Sequence, residues 1–333
     1  MPDRFNPQAI AIAAELAESE VTSMITTVTL NASIDKAYRI NMPLTRGTVI
    51  RVAECEDSAG GKGLNAARAI AACGEPVVAT GFVGGNNGRY LCELVARDGI
   101  RERFVRVKNE TRCCINVLEP GGGSTEFLEP GRPVYEAELE EMKGTLLELA
   151  KQSDVVTMSG STPAGASSDV YQQLVRLVRE TGKPVILDTS GDFLTKGIHA
   201  LPTMLKPNID EIGQLLGRKI DGIDEVVSAA QELHERGVEI VVASLGAAGA
   251  IMACDEGVFR GNAPKIQAVN PVGAGDTMVG SFAVAIARGM KGSERLRFAM
   301  SCASASCLSP HTGRFDPQVA DDLFNKTAVE KIA

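Results

Sequence analysis

From Met24 onward, short apolar segments rich in β-branched residues alternate with longer segments of helical character. The predicted strands are Met24–Leu30, Val77–Phe82, Val155–Met158, Val185–Leu187, Thr203–Leu205 and Ile240–Ala243. The predicted helices are Arg89–Arg97, Ala137–Ala150, Ser168–Glu180, Ile209–Leu216 and Asp224–Arg236. Parallel strands need long crossover connections, and helices usually supply them. The alternation therefore predicts an α/β fold in which helices cover both faces of a mostly parallel sheet.

Two regions break this alternation, because residues 34–57 and 103–129 contain short β-like pieces without intervening helices. The predicted antiparallel strands of the second region are Phe104–Val107, Cys113–Leu118 and Ser124–Leu128, with the three glycines 121–123 as a turn. We expect the two regions to form one small accessory sheet that covers the functional site as a lid. The alternative interpretation is a set of ordinary surface hairpins.

The first 23 residues stand apart from this pattern. Residues 7–17 have apolar side chains at the spacing of one helix face, which predicts an appended helix. The sequence indicates no function for this extension. We treat residues 24–333 as one domain.

Charge and composition exclude several classes of function. The net charge of −8 argues against nucleic acid or an anionic membrane as the main partner, although a local group of donors is enough for a phosphorylated substrate. The eight cysteines form no CxxC pair and only three histidines are present, which argues against a zinc site. No segment resembles a signal peptide or a membrane span, so we expect a soluble cytoplasmic protein.

The segment 270–277 reads NPVGAGDT and precedes a run of small apolar residues. It predicts a glycine-rich turn that enters a helix, with the N–H groups of Gly273, Ala274 and Gly275 free to bind an anion. Asp276 would then lie in the first turn of the helix, beside a bound phosphate, where a carboxylate can act as a general base. The alternative is an ordinary helix start, since Asp is common in first turns.

A second glycine-rich turn lies at 60–65, where Gly60 and Gly61 allow close approach of a ligand to the backbone. Lys62 and Asn65 add donors that suit hydroxyls or a phosphate. Asp35 follows the first strand, at the edge where open α/β sheets bind ligands, and it is placed to accept hydrogen bonds from sugar hydroxyls. A tight turn before a packed helix and a solvated turn aspartate are the alternative interpretations.

Two further loops follow predicted strands. In Lys206–Glu211, Asn208 and Glu211 have the spacing of a helix capping box, and the functional alternative is contact with Mg²⁺ and phosphate, through waters in the case of Mg²⁺. In Ser244–Gly249, the glycines would let a nucleotide lie against the backbone, and the alternative is a plain turn. The sequence has no P-loop motif, no GxGxxG after the first strand, no GxSxG and no HExxH.

Taken together, and in this order, the four segments 60–65, 206–211, 244–249 and 273–276 resemble the PfkB, or ribokinase-like, family of carbohydrate kinases. The resemblance extends from about Met24 to the C-terminus and implies a doubly wound α/β domain with a small β-sheet lid. It also implies ATP and Mg²⁺ as cofactors and, as in many members, a homodimer formed through the lid. The extension 1–23 has no counterpart in the family pattern.

The resemblance implies a role for each motif. Asp276 matches the catalytic base, and the turn Gly273, Ala274 and Gly275 would stabilise the transferring phosphoryl group. The positions implied for the nucleotide phosphates and Mg²⁺ are Lys206, Asn208 and Glu211, the last as a magnesium ligand through water. The positions implied for the nucleotide are Ser244, Leu245, Gly246 and Gly249. The positions implied for the sugar are Asp35, Gly60, Gly61, Lys62 and Asn65.

Within the family, the chain looks most similar to hexose-phosphate kinases. The segments 30–35 and 59–65 are close to forms shared by tagatose-6-phosphate kinases and 1-phosphofructokinases, and the lid segments 111–115 and 124–131 resemble the former more. Arg112 is then the first candidate for binding the substrate phosphate and Lys62 the second, while Ser159 is a weaker candidate for substrate contact. Glu126 stands near where some 6-phosphofructokinases of the family have Arg, which argues against that activity.

These matches predict an enzyme that phosphorylates a ketohexose monophosphate to a bisphosphate, with tagatose 6-phosphate as the first candidate and fructose 1-phosphate as the alternative. A non-catalytic sugar-phosphate sensor is a remote alternative, because the base and the anion turn are both intact. A kinase of nucleosides or unphosphorylated sugars is disfavoured by Arg112 and Lys62.

Overall fold

The computed structural model describes residues 24–333. The helix predicted within residues 1–23 lies outside the described residues. From Met24 onward, the strands and helices predicted above are confirmed, with boundaries that differ by a few residues.

Along the described chain the strands are β1 (Ile25–Thr29), β2 (Ser33–Arg39), β3 (Glu54–Gly60), β4 (Val77–Gly84), β5 (Arg101–Glu102), β6 (Val105–Val107), β7 (Arg112–Leu118), β8 (Ser124–Leu128), β9 (Val155–Ser159), β10 (Val185–Asp188), β11 (Met204–Leu205), β12 (Ile240–Ser244), β13 (Ala250–Cys254), β14 (Gly257–Asn262) and β15 (Ala328–Lys331). The helices are α1 (Lys62–Ala72), α2 (Gly85–Arg97), α3 (Glu136–Gln152), α4 (Val170–Arg179), α5 (Gly191–Gly197), α6 (Ile209–Leu216), α7 (Ile223–Glu235), α8 (Ala274–Ala287), α9 (Gly292–Cys307) and α10 (Pro317–Phe324).

The large sheet has the strand order β15-β14-β13-β12-β11-β10-β9-β1-β4-β5. Its strands from β12 to β5 are parallel, and β13, β14 and β15 extend it as antiparallel strands. This antiparallel extension was not predicted from the sequence. β12, β13 and β14 follow one another without a helix between them, so the alternation that revealed the rest of the sheet is absent there, and β15 has only four residues.

The strand order reverses beside β1. After β1 the chain moves to β4 on one side, and it later crosses to β9 on the other side. In open α/β sheets, the crevice outside the carboxyl ends of the strands at such a reversal is where ligands bind. The topology therefore places the candidate site beyond the ends of β1 and β9.

Helices cover both faces of the large sheet, and alternate residues of β1 reach the two sides. Ile25 packs with α1, α2, α8 and α9, whereas Val28 packs with α3, α4 and α7 on the opposite face. Helices α1 and α8 cross at close range, since a methyl group on Gly280 would lie 2.5 Å from the carbonyl oxygen of Ala66. No helix within residues 24–333 is long and apolar enough to cross a membrane.

The small sheet predicted from the irregular regions is present, with the order β3-β2-β7-β8. Two details of the prediction were wrong. The strand predicted at Phe104–Val107 appears as β6, which pairs in parallel with β4 of the large sheet, and β7 pairs in parallel with β2. Phe104 and Val105 are buried, and their apolar side chains join the core that α2 and α3 cover rather than a half-exposed sheet. The small sheet therefore takes its second part from 112–128, not from 103 onward.

Candidate active site

Polar side chains stand at or just beyond the carboxyl ends of five neighbouring parallel strands. Asn31 follows β1, Ser159 ends β9, Asp188 ends β10, Lys206 follows β11 and Ser244 ends β12. All five strands run in the same direction, so these groups meet at one edge of the sheet. The small sheet stands beside this edge. His311 Nδ1, in the loop between α9 and α10, lies 3.1 Å from Glu56 Oε1 of β3.

The predicted glycine-rich turn enters α8 at Gly273, whose φ of 81° lies in the left-handed region. A methyl group on Gly273 would lie 2.5 Å from Thr312 Cγ2, so the turn also lacks room for a side chain. The helix N-terminus has no side-chain cap, which leaves backbone donors of the first turn without a partner from the helix. The N–H of Ala274 is engaged, because it donates to the Pro271 carbonyl at 3.3 Å.

Asp276 lies in the first turn of α8 and is buried. Its Oδ2 accepts a hydrogen bond from Asn65 Nδ2 at 2.7 Å, which joins α8 to α1. Burial and, to a smaller extent, the neighbouring Asp188 raise the pKa of Asp276 to about 6, although Asn65, Lys62 and Lys206 act in the opposite direction. A carboxyl group that titrates near 6 is ionised at neutral pH and retains affinity for a proton, as a general base requires.

Asp188 is a site residue that the sequence analysis missed. It is 3% exposed and lies between two ammonium groups, with Lys206 Nζ 3.3 Å from Oδ1 and Lys62 Nζ 3.6 Å from Oδ2. Asp188 is the first cause of a raised pKa of Lys62, which keeps that lysine charged. Asp35 was predicted from its position after the first strand, although the structure places it within β2, and the same rule would have identified Asp188 at the end of β10.

Asp35 projects from β2 of the small sheet, next to Gly60 at the end of β3. A methyl group on Gly60 would lie 2.0 Å from Asp35 Oδ1, so only glycine leaves space for this carboxylate. Ser33 Oγ donates to Asp35 Oδ1 at 2.6 Å. Burial raises the pKa of Asp35, while Ser33, Arg68 and Arg112 act in the opposite direction. Gly61 follows with a φ of 117°, and α1 then begins at Lys62.

Arg112 begins β7 and is held by backbone carbonyls. Its Nε donates to the Asn31 carbonyl at 3.1 Å and its Nη1 to the Glu129 carbonyl at 2.7 Å, so the guanidinium is fixed at the base of the small sheet. Ser159 Oγ is buried and has no hydrogen-bond partner within the described chain. Arg112 is near Asp35 of the small sheet. Ser159 lies in the large sheet instead, opposite Asp188 in the register of β9 and β10.

A cavity of about 570 Å³ is lined in part by the first turns of α8. Its polar and glycine-rich wall brings together Ser244, Gly246, Gly249 and Gly275. The remaining wall is mostly apolar and consists of Ala247, Ala263, Pro264, Lys265, Ile266, Ala268, Pro271, Ala274, Met278, Met300, Ala303, Ser304 and Cys307. Leu245, predicted as a nucleotide contact, does not line this cavity, because its apolar side chain packs against the core.

Asn208 and Glu211 form the predicted capping box at the start of α6. Glu211 N donates to Asn208 Oδ1 at 2.9 Å, and Asn208 N donates to Glu211 Oε2 at 2.9 Å. One carboxylate oxygen of Glu211 is therefore used by the helix and the other remains for a ligand. Residues 24–333 contain no cluster of three metal-binding side chains. Mg²⁺ does not need one, since it is commonly held by one or two carboxylates, water and substrate phosphates.

Arg68 and Asp98 are further residues that the sequence analysis missed. Their side chains are each 5% exposed and paired, with Arg68 Nη1 3.2 Å from Asp98 Oδ2, and Arg68 also contacts Asn65 on the same helix face. The available signal was an arginine three residues after Asn65, a spacing that places two side chains on one face of a helix.

Comparison with known proteins gives consistent results. The family model described as pfkB family carbohydrate kinase matches residues 28–318. A tagatose-6-phosphate kinase of Staphylococcus epidermidis is 38% identical over 312 residues, covering 93% of this chain and 100% of that protein. Phosphofructokinase-2 from Escherichia coli superimposes with a TM-score of 0.86 at 29% identity, over 91% of this chain and 98% of that one. A Thermotoga maritima protein described as a possible 1-phosphofructokinase has a TM-score of 0.84 at 28% identity, over 93% and 100% of the two chains.

Proposed function

The chain belongs to the pfkB family of carbohydrate kinases, and on that premise we propose that it transfers the γ-phosphoryl group of ATP to a ketohexose monophosphate, which gives a bisphosphate. The observation that carries this proposal is the position of Asp276. Its buried carboxylate separates a side rich in hydrogen-bonding side chains, suited to a sugar, from the largely apolar cavity, suited to a nucleotide.

Asp276 acts as the general base in this proposal. Its carboxylate accepts the proton of the acceptor hydroxyl while the hydroxyl oxygen attacks the γ-phosphorus, and the bond from that phosphorus to the ADP oxygen breaks. A pKa near 6 leaves most of the carboxylate ionised at neutral pH. We therefore expect kcat/KM for the sugar to fall as the pH drops below about 6.

The negative charge of the transferring phosphoryl group meets donors and cations at the start of α8. The N–H groups of Gly273 and Gly275 lie in this turn, and a methyl group on Gly275 would be 3.4 Å from Lys206 Nζ. Preorganised donors of this kind stabilise developing charge without reorganising during the reaction. Lys62 stands across Asp188 from Lys206 and adds a second cation.

We assign the substrate phosphate to Arg112 rather than to Lys62. The charged neighbours of Lys62 are Asp188, Asp276 and Glu211, which belong to the phosphoryl-transfer centre. Arg112 is beside Asp35 instead, at the sugar side, and two backbone carbonyls already fix its guanidinium. A planar guanidinium suits a phosphate, and the fixed position lowers the entropy lost on binding. Gly60, Gly61, Asn65 and Ser159 complete the proposed sugar contacts.

The nucleotide occupies the 570 Å³ cavity in this proposal, with its base against the apolar wall and its phosphates toward Gly275 and Lys206. Mg²⁺, when bound with ATP, would neutralise charge on the phosphates, and Glu211 would hold it through water. Asn208 positions Glu211 through the capping box. We expect the reaction to take place in the cytoplasm, where ATP is available.

The identity of the sugar is tested by an ADP-release assay with tagatose 6-phosphate, fructose 1-phosphate and fructose 6-phosphate. We expect the highest kcat/KM with tagatose 6-phosphate, and preferred use of fructose 1-phosphate would favour the alternative. Asp276→Asn should lower kcat by about 10²-fold to 10⁴-fold. If none of the three sugars is phosphorylated, or if Asp276→Asn leaves turnover unchanged, the proposal is wrong. Binding of a sugar phosphate without turnover would indicate a sensor.

We further propose that a second copy of the chain packs against the small sheet. Exposed apolar side chains concentrate on this sheet and on the loop between β2 and β3, and they include Val49, Phe127 and Leu128, which are 87%, 56% and 65% exposed. Light scattering should then give a dimer mass for the wild type and a monomer mass for Phe127→Glu. Ile332→Glu, at an exposed residue far from this sheet, should remain dimeric, and a monomeric wild type would contradict the proposal.

A further inference from the structure

Arg68 lies on α1 beneath the proposed catalytic centre and is buried. Its guanidinium donates to acceptors on four segments of the chain: Nη1 to the Ala59 carbonyl at 2.8 Å and to Asp98 Oδ2 at 3.2 Å, Nε to the Thr312 carbonyl at 3.2 Å, and Nη2 to Asn65 Oδ1. Burial lowers the pKa of Arg68 and Asp98 opposes this, but a guanidinium stays protonated in proteins.

The contact between Arg68 and Asn65 determines which way the Asn65 amide points. An amide side chain has one accepting oxygen and one donating nitrogen, and a guanidinium can only donate. The oxygen of Asn65 must therefore face Arg68, which leaves Nδ2 to donate to Asp276 Oδ2 at 2.7 Å. With the opposite orientation, the amide oxygen would face the carboxylate and repel it.

Arg68 also connects the loops on either side of the base. Ala59 directly precedes the Gly60–Gly61 turn of the sugar side, and Thr312 contacts the position where Gly273 begins the anion turn. A single guanidinium thus fixes the backbone at two loops and the rotamer of Asn65 between them.

Arg68 is in turn held from the far side. Asp98 follows α2 and accepts from Arg68 through Oδ2, while Asp98 Oδ1 contacts Arg314 Nη2 of the loop that contains Thr312. The side chain of Asp98 is 5% exposed, and its two oxygens are held by two cations, Arg68 and Arg314. The position of the guanidinium is therefore strongly constrained.

We infer that Arg68 is a positioning residue for phosphoryl transfer, which orients the Asn65 amide so that its N–H group stabilises the ionised form of Asp276. The inference rests on the proposed role of Asp276 as the base. Arg68 does not contact the reacting atoms in this scheme, and it acts through Asn65. Through Asn65, the buried salt bridge between Arg68 and Asp98 therefore affects the ionisation of Asp276 without contacting the substrate.

The consequence is a change in the pH dependence. The charged groups that face Asp276 are Asp188, Lys62 and Lys206, and none of them belongs to the Arg68 network. Loss of a hydrogen bond to a charged group amounts to about one pH unit or more in the ionisation of that group. Loss of Arg68 should therefore move the acid limb of the kcat/KM profile upward by about one pH unit.

The experiment is a double-mutant cycle on the acid limb of kcat/KM, with Arg68→Met, Asn65→Leu and the double variant. If Arg68 acts through Asn65, each single variant raises the limb and the double variant raises it no further than Asn65→Leu. Additive shifts, or a limb that stays at the wild-type pH in Arg68→Met, would overturn the inference. Arg68→Lys retains the cation but not the fork of donors, and it should show a partial shift; this variant decides the question if Arg68→Met does not fold.

A second readout separates this inference from the proposed function. The ¹³C signal of the Asp276 carboxyl, assigned by its loss in Asp276→Asn, reports ionisation without any turnover. Its midpoint should rise in Arg68→Lys relative to the wild type, even if no sugar phosphate is a substrate, and an unchanged midpoint argues against the inference. Arg288→Met is the matched control, because Arg288 also joins a carboxylate and a backbone carbonyl, those of Glu75 and Cys73, at the opposite end of α1. It should lower stability without moving the Asp276 midpoint.

Discussion

The two sides of the candidate site differ in the types of residue that line them. On the proposed sugar side of Asp276, buried polar and charged side chains are held by ion pairs and hydrogen bonds, as in the contacts of Arg68 with Asp98 and of Asn65 with Asp276. On the proposed nucleotide side, the 570 Å³ cavity is lined by glycine backbone and mostly apolar side chains. We expect binding on the first side to depend on individual hydrogen-bonding atoms, and binding on the second side to depend on the shape of the cavity.

This difference predicts different responses to mutation. A buried charge is expensive to desolvate, and removal of its partner leaves that cost uncompensated. An apolar wall distributes its contribution over many contacts, each of which is small. Single substitutions on the sugar side should therefore have large and specific effects, and those on the nucleotide side should have small and graded ones.

The largest effect on stability should come from Asp276→Asn. A shift in pKa from 3.8 to about 6 corresponds to about 3 kcal/mol of native-state cost once the carboxyl is ionised. Well below pH 3.8 the carboxyl is protonated in both states and the cost vanishes, and as the pH rises from 3.8 to about 6 the unfolded chain ionises first, so the cost appears. Chemical denaturation should show the variant to be more stable than the wild type at pH 8, with most of the difference lost near pH 4.

Asp210→Asn is the matched control for this prediction. Asp210 also lies in the first turn of a helix, α6, but it is exposed. Its ionised form benefits from the helix dipole without a cost of burial, so the substitution should lower stability slightly, by about 0.3–1 kcal/mol. Equal effects of the two substitutions would show that burial does not govern Asp276, and the comparison between the two sides would then fail.

The next largest effect should come from Arg112→Ala. Loss of a charge-assisted hydrogen bond to a phosphate corresponds to about 1.5–3 kcal/mol, or roughly a tenfold to hundredfold rise in KM for the sugar phosphate. Steady-state kinetics with both substrates varied should show KM for ATP unchanged, because Arg112 is assigned to the sugar phosphate. Arg106→Ala removes an exposed arginine that pairs with Glu102, and it should alter neither constant. A rise in KM for ATP alone would contradict the assignment of Arg112.

The same contrast explains how much of the molecule the sequence predicts. Backbone features have local signals, since a glycine-rich turn before a helix identified Gly273 and the capping box at Asn208 was confirmed from spacing alone. Charged partners brought together by the fold have no such signal. Arg68 meets Asp98 across 30 positions and Thr312 across 244, so their contacts depend on the tertiary arrangement.

The strands show the same limit. Buried parallel strands such as β9 are recognisable as apolar runs between helices, and their prediction was confirmed. β6 is only three residues long, and its partner was not evident from its pattern, so it was assigned to the wrong sheet. Short strands are specified by the surface against which they pack, and a local pattern does not contain that information.

The smallest effect should come from the nucleotide side, with Ile266→Ala. Ile266 is half-buried in the cavity wall and shares that wall with Met278, Met300 and several alanines. Removal of part of its apolar surface corresponds to about 1 kcal/mol, so KM for ATP should rise about fivefold while KM for the sugar stays constant. Ile332→Ala, at an exposed residue outside the cavity, should change neither value. A hundredfold rise in KM for ATP would mean that one side chain dominates nucleotide binding. Single substitutions would then have equally large effects on both sides of the site.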